Sequence, residues 1–156
     1  MAASIAIALG SNLGDRCAHL DFAVSRLRGL TDDLIVSTYH QTDPVDVVGS
    51  QALFLNAAAV GTYRGTARQL LQTLLAIEAE CGRQRPHRGA ARTLDLDLIL
   101  FGRSVIDEPG LQVPHPRFRA RPFVLAPLAE VGPDLIDPVT GQTVAQLLAA
   151  MVRGPR

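Results

Sequence analysis

Asp95 and Asp97 stand in Arg92-Thr93-Leu94-Asp95-Leu96-Asp97-Leu98-Ile99-Leu100, a run in which acid and leucine alternate. Alternate side chains of a strand share a face, so Leu94, Leu96, Leu98 and Leu100 are expected on one side and the two aspartates on the other. Their backbones would stand about 6.5–7 Å apart. Ile99 and Phe101 continue the acidic face, so the carboxylates adjoin apolar surface, where like charges repel and resist desolvation. Cations between them would relieve both costs. Two Mg²⁺ ions about 3.5–4 Å apart, their octahedral shells completed by phosphate oxygens and water, suit such a pair. An ordinary amphipathic strand with two exposed aspartates is the alternative on alternation alone.

The flanking arginines weigh against that alternative. Arg83, Arg85, Arg88 and Arg92 lie within ten residues, with His87 among them and no acid from Cys81 to Leu94. Arg117, Arg119 and Arg121 follow His115, so seven of the fifteen basic residues occupy two short segments. Guanidinium forks suit bidentate phosphate contact and stay charged at any working pH. Beside a metal-binding carboxylate pair they provide what phosphoryl transfer needs, namely positioning and neutralisation of charge. An isolated arginine cluster would equally read as a solvated face or a nucleic-acid contact. His115, held between Pro114 and Pro116, is restricted in backbone and could donate to a phosphate oxygen, or be incidental to a turn. Phe54, two residues before Asn56, and Phe123, after the second arginine group, could sandwich a flat heterocycle while the amide reads its edge. Core packing is the default for either ring. Gly10-Ser11-Asn12-Leu13-Gly14 is only a weak phosphate-loop signal and reads as a capped tight turn. His19 and His40 read as structural.

Composition bounds these readings. The chain has 156 residues, 15 basic and 15 acidic, and every basic residue is arginine. Residues 1–156 are expected to form a single domain, too apolar for a disordered chain at 47% hydrophobic and 19% charged. Zero net charge gives no general case for nucleic acid or membrane. Without lysine there is no Walker A loop and no Schiff-base chemistry. Phosphate must be handled by arginine, backbone N–H groups or metal; coding bias accounts for the missing lysine without function. Cys17 and Cys81 have no paired spacing and are expected to be buried, reduced thiols. No signal peptide is apparent, and the longest uncharged stretch, 47–63, is too interrupted to span a membrane. A cytoplasmic location follows as the expectation.

The elements that must position these residues follow from periodicity. Short strands are predicted over 4–9, 34–41, 54–63 and 93–101. Helices are predicted over about 15–30, where Leu20, Ala23, Val24, Leu27 and Leu30 share a face, and over 66–82, where Thr66 and Gln69 suit a capping box. A short helix over 123–131 and a last helix, opened by the pair Thr143 and Gln146, complete the chain. This order predicts an α/β (α+β) fold, a ferredoxin-like βαββαβ sandwich with a mainly antiparallel sheet, helices on one face, and C-terminal additions.

Several motifs then occur in order along nearly the whole chain: Gly10-Ser11-Asn12-Leu13-Gly14-Asp15, Phe54-Leu55-Asn56-Ala57-Ala58, Gly82-Arg83-x-Arg85, Arg92-Thr93-Leu94-Asp95-Leu96-Asp97-Leu98, and Val113-Pro114-His115-Pro116-Arg117 through Arg121-x-Phe123. Together they resemble the 6-hydroxymethyl-7,8-dihydropterin pyrophosphokinase family. The resemblance implies transfer of the β,γ-pyrophosphoryl group of ATP to the pterin hydroxymethyl, giving AMP and the pterin diphosphate used in tetrahydrofolate biosynthesis. It implies two Mg²⁺ ions on Asp95 and Asp97, and phosphate and transition-state contacts from Arg83 and Arg92. Glu78, Arg85, Arg88, His115 and Arg121 match ATP-side positions. Phe54 and Phe123 match the rings around the pterin, and Asn56 with the backbone of Thr42, Pro44 and Val45 its edge. ATP and a pterin would be small-molecule partners of a monomer, with neither nucleic acid nor membrane involved.

The chain departs from the family pattern in places. Arg88-Gly89-Ala90-Ala91-Arg92 stands where members often read Arg-Trp-Gly-Pro-Arg, Leu75 replaces a common Gln, and Thr42-Asp43-Pro44 replaces Thr-Pro-Pro. Two other classes compete on the residues alone. A metal-dependent nucleotidyltransferase or cyclase would use the same aspartate pair. An RNA-binding module of this fold would want exposed aromatics on its central strands, where this chain has Ala and Leu.

Overall fold

A computed structural model describes residues 2–12, 14–42, 54–82 and 93–153. Strand β1 (Ala3–Ser11) leads to helix α1 (Arg16–Leu30), β2 (Asp32–Val36), β3 (His40–Thr42) and β4 (Phe54–Tyr63). Helix α2 (Ala67–Gly82) precedes β5 (Asp95–Phe101), a hairpin of β6 (Ile106–Glu108) and β7 (Leu111–Val113), and helices α3 (Pro122–Val131) and α4 (Val144–Arg153). The main sheet runs β2-β4-β1-β5, with β3 also on β4, and all its pairings are antiparallel. With α1 and α2 as connections, this is the ferredoxin-like order the sequence predicts.

Local chemistry starts the helices where expected. Asp15 caps α1 by accepting from the Ala18 N–H at 3.0 Å. Both capping boxes form: Thr66 N–H donates to Gln69 at 2.8 Å and Gln69 N–H to Thr66 at 3.1 Å, and Thr143 with Gln146 repeats the exchange. One face of the sheet buries Ile5, Ile7, Leu9, Leu96 and Leu98 against Leu20, Ala23 and Leu27 of α1 and Leu70, Leu74 and Ile77 of α2. Each such leucine or isoleucine contributes about 1.5–3 kcal/mol when fully buried.

The other face is covered too, which corrects the expectation of helices on one side. Phe118, Leu125 and Leu128, with Val144 and Leu147 of α4, pack on Ala6, Ala8, Ala58 and Ile99. Small residues at those sheet positions let α3 lie close. The β1–β5 register passes from Ala6 opposite Leu100 to Ile7 opposite Leu98, leaving Ile99 as a bulge. Leu94, Leu96 and Leu98 therefore keep their predicted face, whereas Leu100 joins Ile99 under α3 and Phe101 returns to the α1–α2 side. The predicted strand over 34–41 is broken between β2 and β3, where Ser37 leaves the ladder to bond Ala58 through both its backbone and its hydroxyl. The β6–β7 hairpin was not anticipated; its Pro109-Gly110 turn places Gly110 at φ 75°, where glycine avoids the Cβ clash. Cys81 is buried as expected and Cys17 is exposed, and both are free thiols. Among the described residues no helix is long and apolar enough to cross a membrane.

Candidate active site

Strand register assembles the site. Gly10 of β1 stands between Asn56 of β4 and Asp95 of β5, and Ala8 stands between Ala58 and Asp97. Three strands thus present two adjacent rows on one face, with small residues in the middle and a polar group on each outer strand in the first row. A Cβ added at Gly10 would lie 3.1 Å from Asn56 Oδ1, so the absent side chain makes room for the buried amide.

Helix α3 covers this face only up to its first turn. Pro122 occupies the first helical position, where its missing N–H costs nothing, and aims the chain so that Arg121, Phe123 and Val124 overhang the two rows. A cavity of about 310 Å³ opens there, lined by Ala8, Gly10, Phe54, Asn56, Asp95, Asp97, Arg121, Phe123 and Val124 with Leu9. It has an aromatic ring from β4, another from α3, an amide and two half-buried carboxylates. The Arg121 guanidinium carbon sits 5.7 Å from the Phe123 ring centroid, a cation–π arrangement that fixes both.

A second cavity, of about 820 Å³, adjoins the first. Its walls include Leu75, Glu78, Leu98, His115 and Arg117, together with the β6–β7 hairpin. Asp97 and Arg121 line both cavities. Glu78 accepts a hydrogen bond from the Leu96 N–H at 2.6 Å, on the outer edge of β5 between the two aspartates. Its carboxylate satisfies an edge-strand donor that would otherwise be left open. The bulge has a local use as well. It frees the Ile99 carbonyl, which accepts the His115 N–H at 3.0 Å. The Arg117 N–H donates to His115 Nδ1 at 3.2 Å, so in the neutral ring the proton sits on Nε2. Burial pushes the His115 imidazole below its ordinary value, and the Arg121 and Arg117 charges act in the same direction against Asp97. His115 thus offers a neutral Nε2–H donor.

The structure brings Asp95, Asp97, Phe54, Asn56, Arg121 and Phe123 to the first cavity, and Glu78, His115, Asp97 and Arg121 to the second. Thr42 ends β3 with its backbone paired to Phe54. Arg83, Arg85, Arg88, Arg92, Pro44 and Val45 lie outside the described residues, as do Asp43 and Gly89. One arginine of the second group is diverted. Arg119 forms a bidentate pair with the fully buried Asp137, so it holds the turn before α4 and not a phosphate. Ala8, Gly10, Val124 and the hairpin were missed as site residues. Ala8 and Gly10 carry no signal of their own, because a small residue in a strand reads as a floor only once its neighbours on the adjacent strands are known. Among the described residues no three His, Cys, Asp or Glu side chains form a metal cage. Magnesium does not need one, because it commonly takes one or two carboxylates and fills its shell with water and substrate phosphates. Asp95 and Asp97, side by side at a cavity wall, fit that demand.

Comparisons with known proteins bear on the family and the fold. The family model for 7,8-dihydro-6-hydroxymethylpterin-pyrophosphokinase (HPPK) matches residues 6–133. The chain is similar to the 2-amino-4-hydroxy-6-hydroxymethyldihydropteridine pyrophosphokinase of Synechocystis sp., with 38% identity over 146 residues, covering 91% of this chain and 73% of the relative. The Bacillus subtilis protein of the same name is 46% identical over 127 residues, covering 80% of this chain and 75% of the relative. Among solved structures, that of Plasmodium falciparum HPPK-DHPS wild type superposes with a TM-score of 0.76 at 13% identity. That match covers 96% of this chain but 44% of the Plasmodium chain, so this protein spans less than half of it, and the likeness is one of fold.

Proposed function

The chain belongs to the 7,8-dihydro-6-hydroxymethylpterin-pyrophosphokinase family, and on that premise we propose that it transfers pyrophosphate from ATP to 6-hydroxymethyl-7,8-dihydropterin in tetrahydrofolate biosynthesis. The observation that carries the reading is the shared wall. Two cavities of different character meet at Asp97 and Arg121, where a group can pass from one ligand to the other.

In this reading the pterin lies on the floor of Gly10 and Ala8 between Phe54 and Phe123. Asn56 and the backbone of Thr42, Pro44 and Val45 pair with its edge. ATP occupies the second cavity, held by Glu78, His115 and Arg121 with Arg85 and Arg88, and the neutral His115 donates from Nε2 to a phosphate oxygen. Asp95 and Asp97 would hold two Mg²⁺ ions, which when bound neutralise charge on the transferring group and align its oxygens. Arg83 and Arg92 would steady the same group. The pterin hydroxymethyl oxygen bonds to the β-phosphorus, the bond from that phosphorus to the α,β-bridging oxygen breaks, and AMP leaves with the electron pair while the hydroxyl proton is released. Side-chain work is then mainly positioning and charge stabilisation, as phosphoryl transfer requires.

Incubation with Mg-ATP and hydroxymethyldihydropterin, followed by chromatography of nucleotides, should give AMP in step with pterin diphosphate, and EDTA should stop both. Pyrophosphate or ADP without AMP would overturn the reading in favour of a nucleotidyltransferase or an ordinary kinase.

A further inference from the structure

Outside the cavities, one carboxylate collects more donors than any surface role demands. Glu130 lies in the last turn of α3, where a negative charge opposes the helix dipole and is locally unfavourable. It nevertheless accepts from the Thr38 N–H at 3.0 Å, the Thr38 hydroxyl at 2.7 Å and His40 Nε2 at 3.2 Å. These bonds, first those from Thr38 and then that from His40, hold its carboxyl below the usual carboxylate range. Thr38 has a free N–H to give because the strand is broken between β2 and β3. On its other side the same break is fastened to β4: Ser37 N–H donates to the Ala58 carbonyl at 2.8 Å, and the Ala58 N–H donates to Ser37 Oγ at 2.9 Å.

Glu130 therefore joins the two bodies that wall the first cavity. On one side is α3, whose first turn carries Phe123. Residues 123 and 130 are seven apart, so they share a helix face about 10 Å apart along the axis. On the other side is β3, whose register sets His40 opposite Asn56 and Thr42 opposite Phe54. A rotation or slide of α3 changes the gap between the two rings, and the Glu130 clamp at the opposite end of the helix resists it.

We propose that Glu130 is a positioning residue for the first cavity, setting the separation of the Phe123 wall from the Phe54–Asn56 wall through Thr38 and His40. The inference rests on the reading of that cavity as the pterin site. Glu130→Ala should weaken 6-hydroxymethylpterin binding about tenfold, the scale of losing charge-assisted hydrogen bonds that fix geometry, and raise the pterin KM accordingly. Affinity for a non-hydrolysable ATP analogue with Mg²⁺ should change less than about twofold, since the second cavity does not depend on this tie. Glu130→Gln, which keeps an acceptor for Thr38, should recover most of the loss. Thr38→Val should reproduce part of it, and the double variant should lose less than the sum. Calorimetric titration of each ligand, with thermal melting as a fold control, reads all of these. Equal weakening of both ligands, or unchanged pterin binding in folded Glu130→Ala, would overturn the inference. If Glu130→Ala does not fold, Thr38→Val and Glu130→Gln decide on the same pterin-selective criterion. A wild-type protein that binds no pterin and forms no AMP would instead overturn the reading of the site.

Discussion

A carboxylate pair acts on a substrate only if something holds it at the right depth, and here that depth is set by residues with almost no side chain. Gly10 and Ala8 leave the space that Asp95, Asp97 and Asn56 border. Asp97→Ala should cut AMP formation by at least on the order of a hundredfold, the scale of losing a ligand to a catalytic metal. Its melting temperature should hold or rise, because one of two neighbouring like charges is gone. A near-normal rate at saturating Mg²⁺ would count against the metal assignment. Gly10→Ala puts a methyl 3.1 Å from Asn56 Oδ1. The amide must give way, so pterin KM should rise several-fold while ATP KM stays put, measured by initial rates with each substrate varied in turn. The carboxylates stood out in the sequence by their alternation with leucine beside the arginines. Spacing alone left His115 open to a turn and both rings to core packing, and only the family resemblance singled them out. Gly10 and Ala8 were not legible, since a small residue in a strand announces nothing until its neighbours are known.

Elements were legible where a local rule governs them. The capping boxes at Thr66 and Thr143, the apolar stripe of α2, that of α1 as far as Leu27 (Leu30, at the helix end, is exposed), and β4 over its full predicted range all follow from chemistry within a few residues. Thr143→Ala should lower stability by about 1 kcal/mol, read as a shift in the urea midpoint, and leave both KM values unchanged. Register is different, because it is decided by the partner strand. The bulge at Ile99 turned Leu100 and Phe101 over, and the break at Ser37 divided one predicted strand into two. Neither is visible in an alternating pattern, which assumes a continuous ladder. Both irregularities serve the site: one anchors His115 and the other exposes Thr38 to Glu130. The unanticipated hairpin carried its signal in Pro109-Gly110, a turn dipeptide between short apolar runs.

At the scale of the whole molecule, neutrality conceals a division of labour among arginines. Arg121 and Arg117 line the second cavity, whereas Arg119 is spent on Asp137. Burial alone would raise the Asp137 carboxyl, but hydrogen bonds from Arg119, Thr140 and the Val139 N–H outweigh it and hold the group below its ordinary value. The stability this contributes is fully present above the unfolded carboxylate value near pH ~4 and is lost as pH falls through the lower native value. Urea midpoints should therefore decline as pH falls below about 4 in the wild type and decline less in Asp137→Asn. Arg119→Ala, which strands a buried carboxylate, should cost about 3 kcal/mol near neutral pH. That arginine's role could not be read from its place in a basic cluster, because its partner lies eighteen residues along the chain. Coverage of the second sheet face was equally hidden. Ala6, Ala8 and Ala58 gave no hint that a helix would rest on them.

The floor of Gly10 and Ala8 has a consequence for any inhibitor shaped to the first cavity. Side chains that small leave almost nothing to trim, so substitution there can only take volume away. Whatever crowds out a flat inhibitor lying on that floor also crowds out the natural ligand. Escape variants should therefore arise on the α3 wall, at Phe123 or Val124, and not beneath the ring.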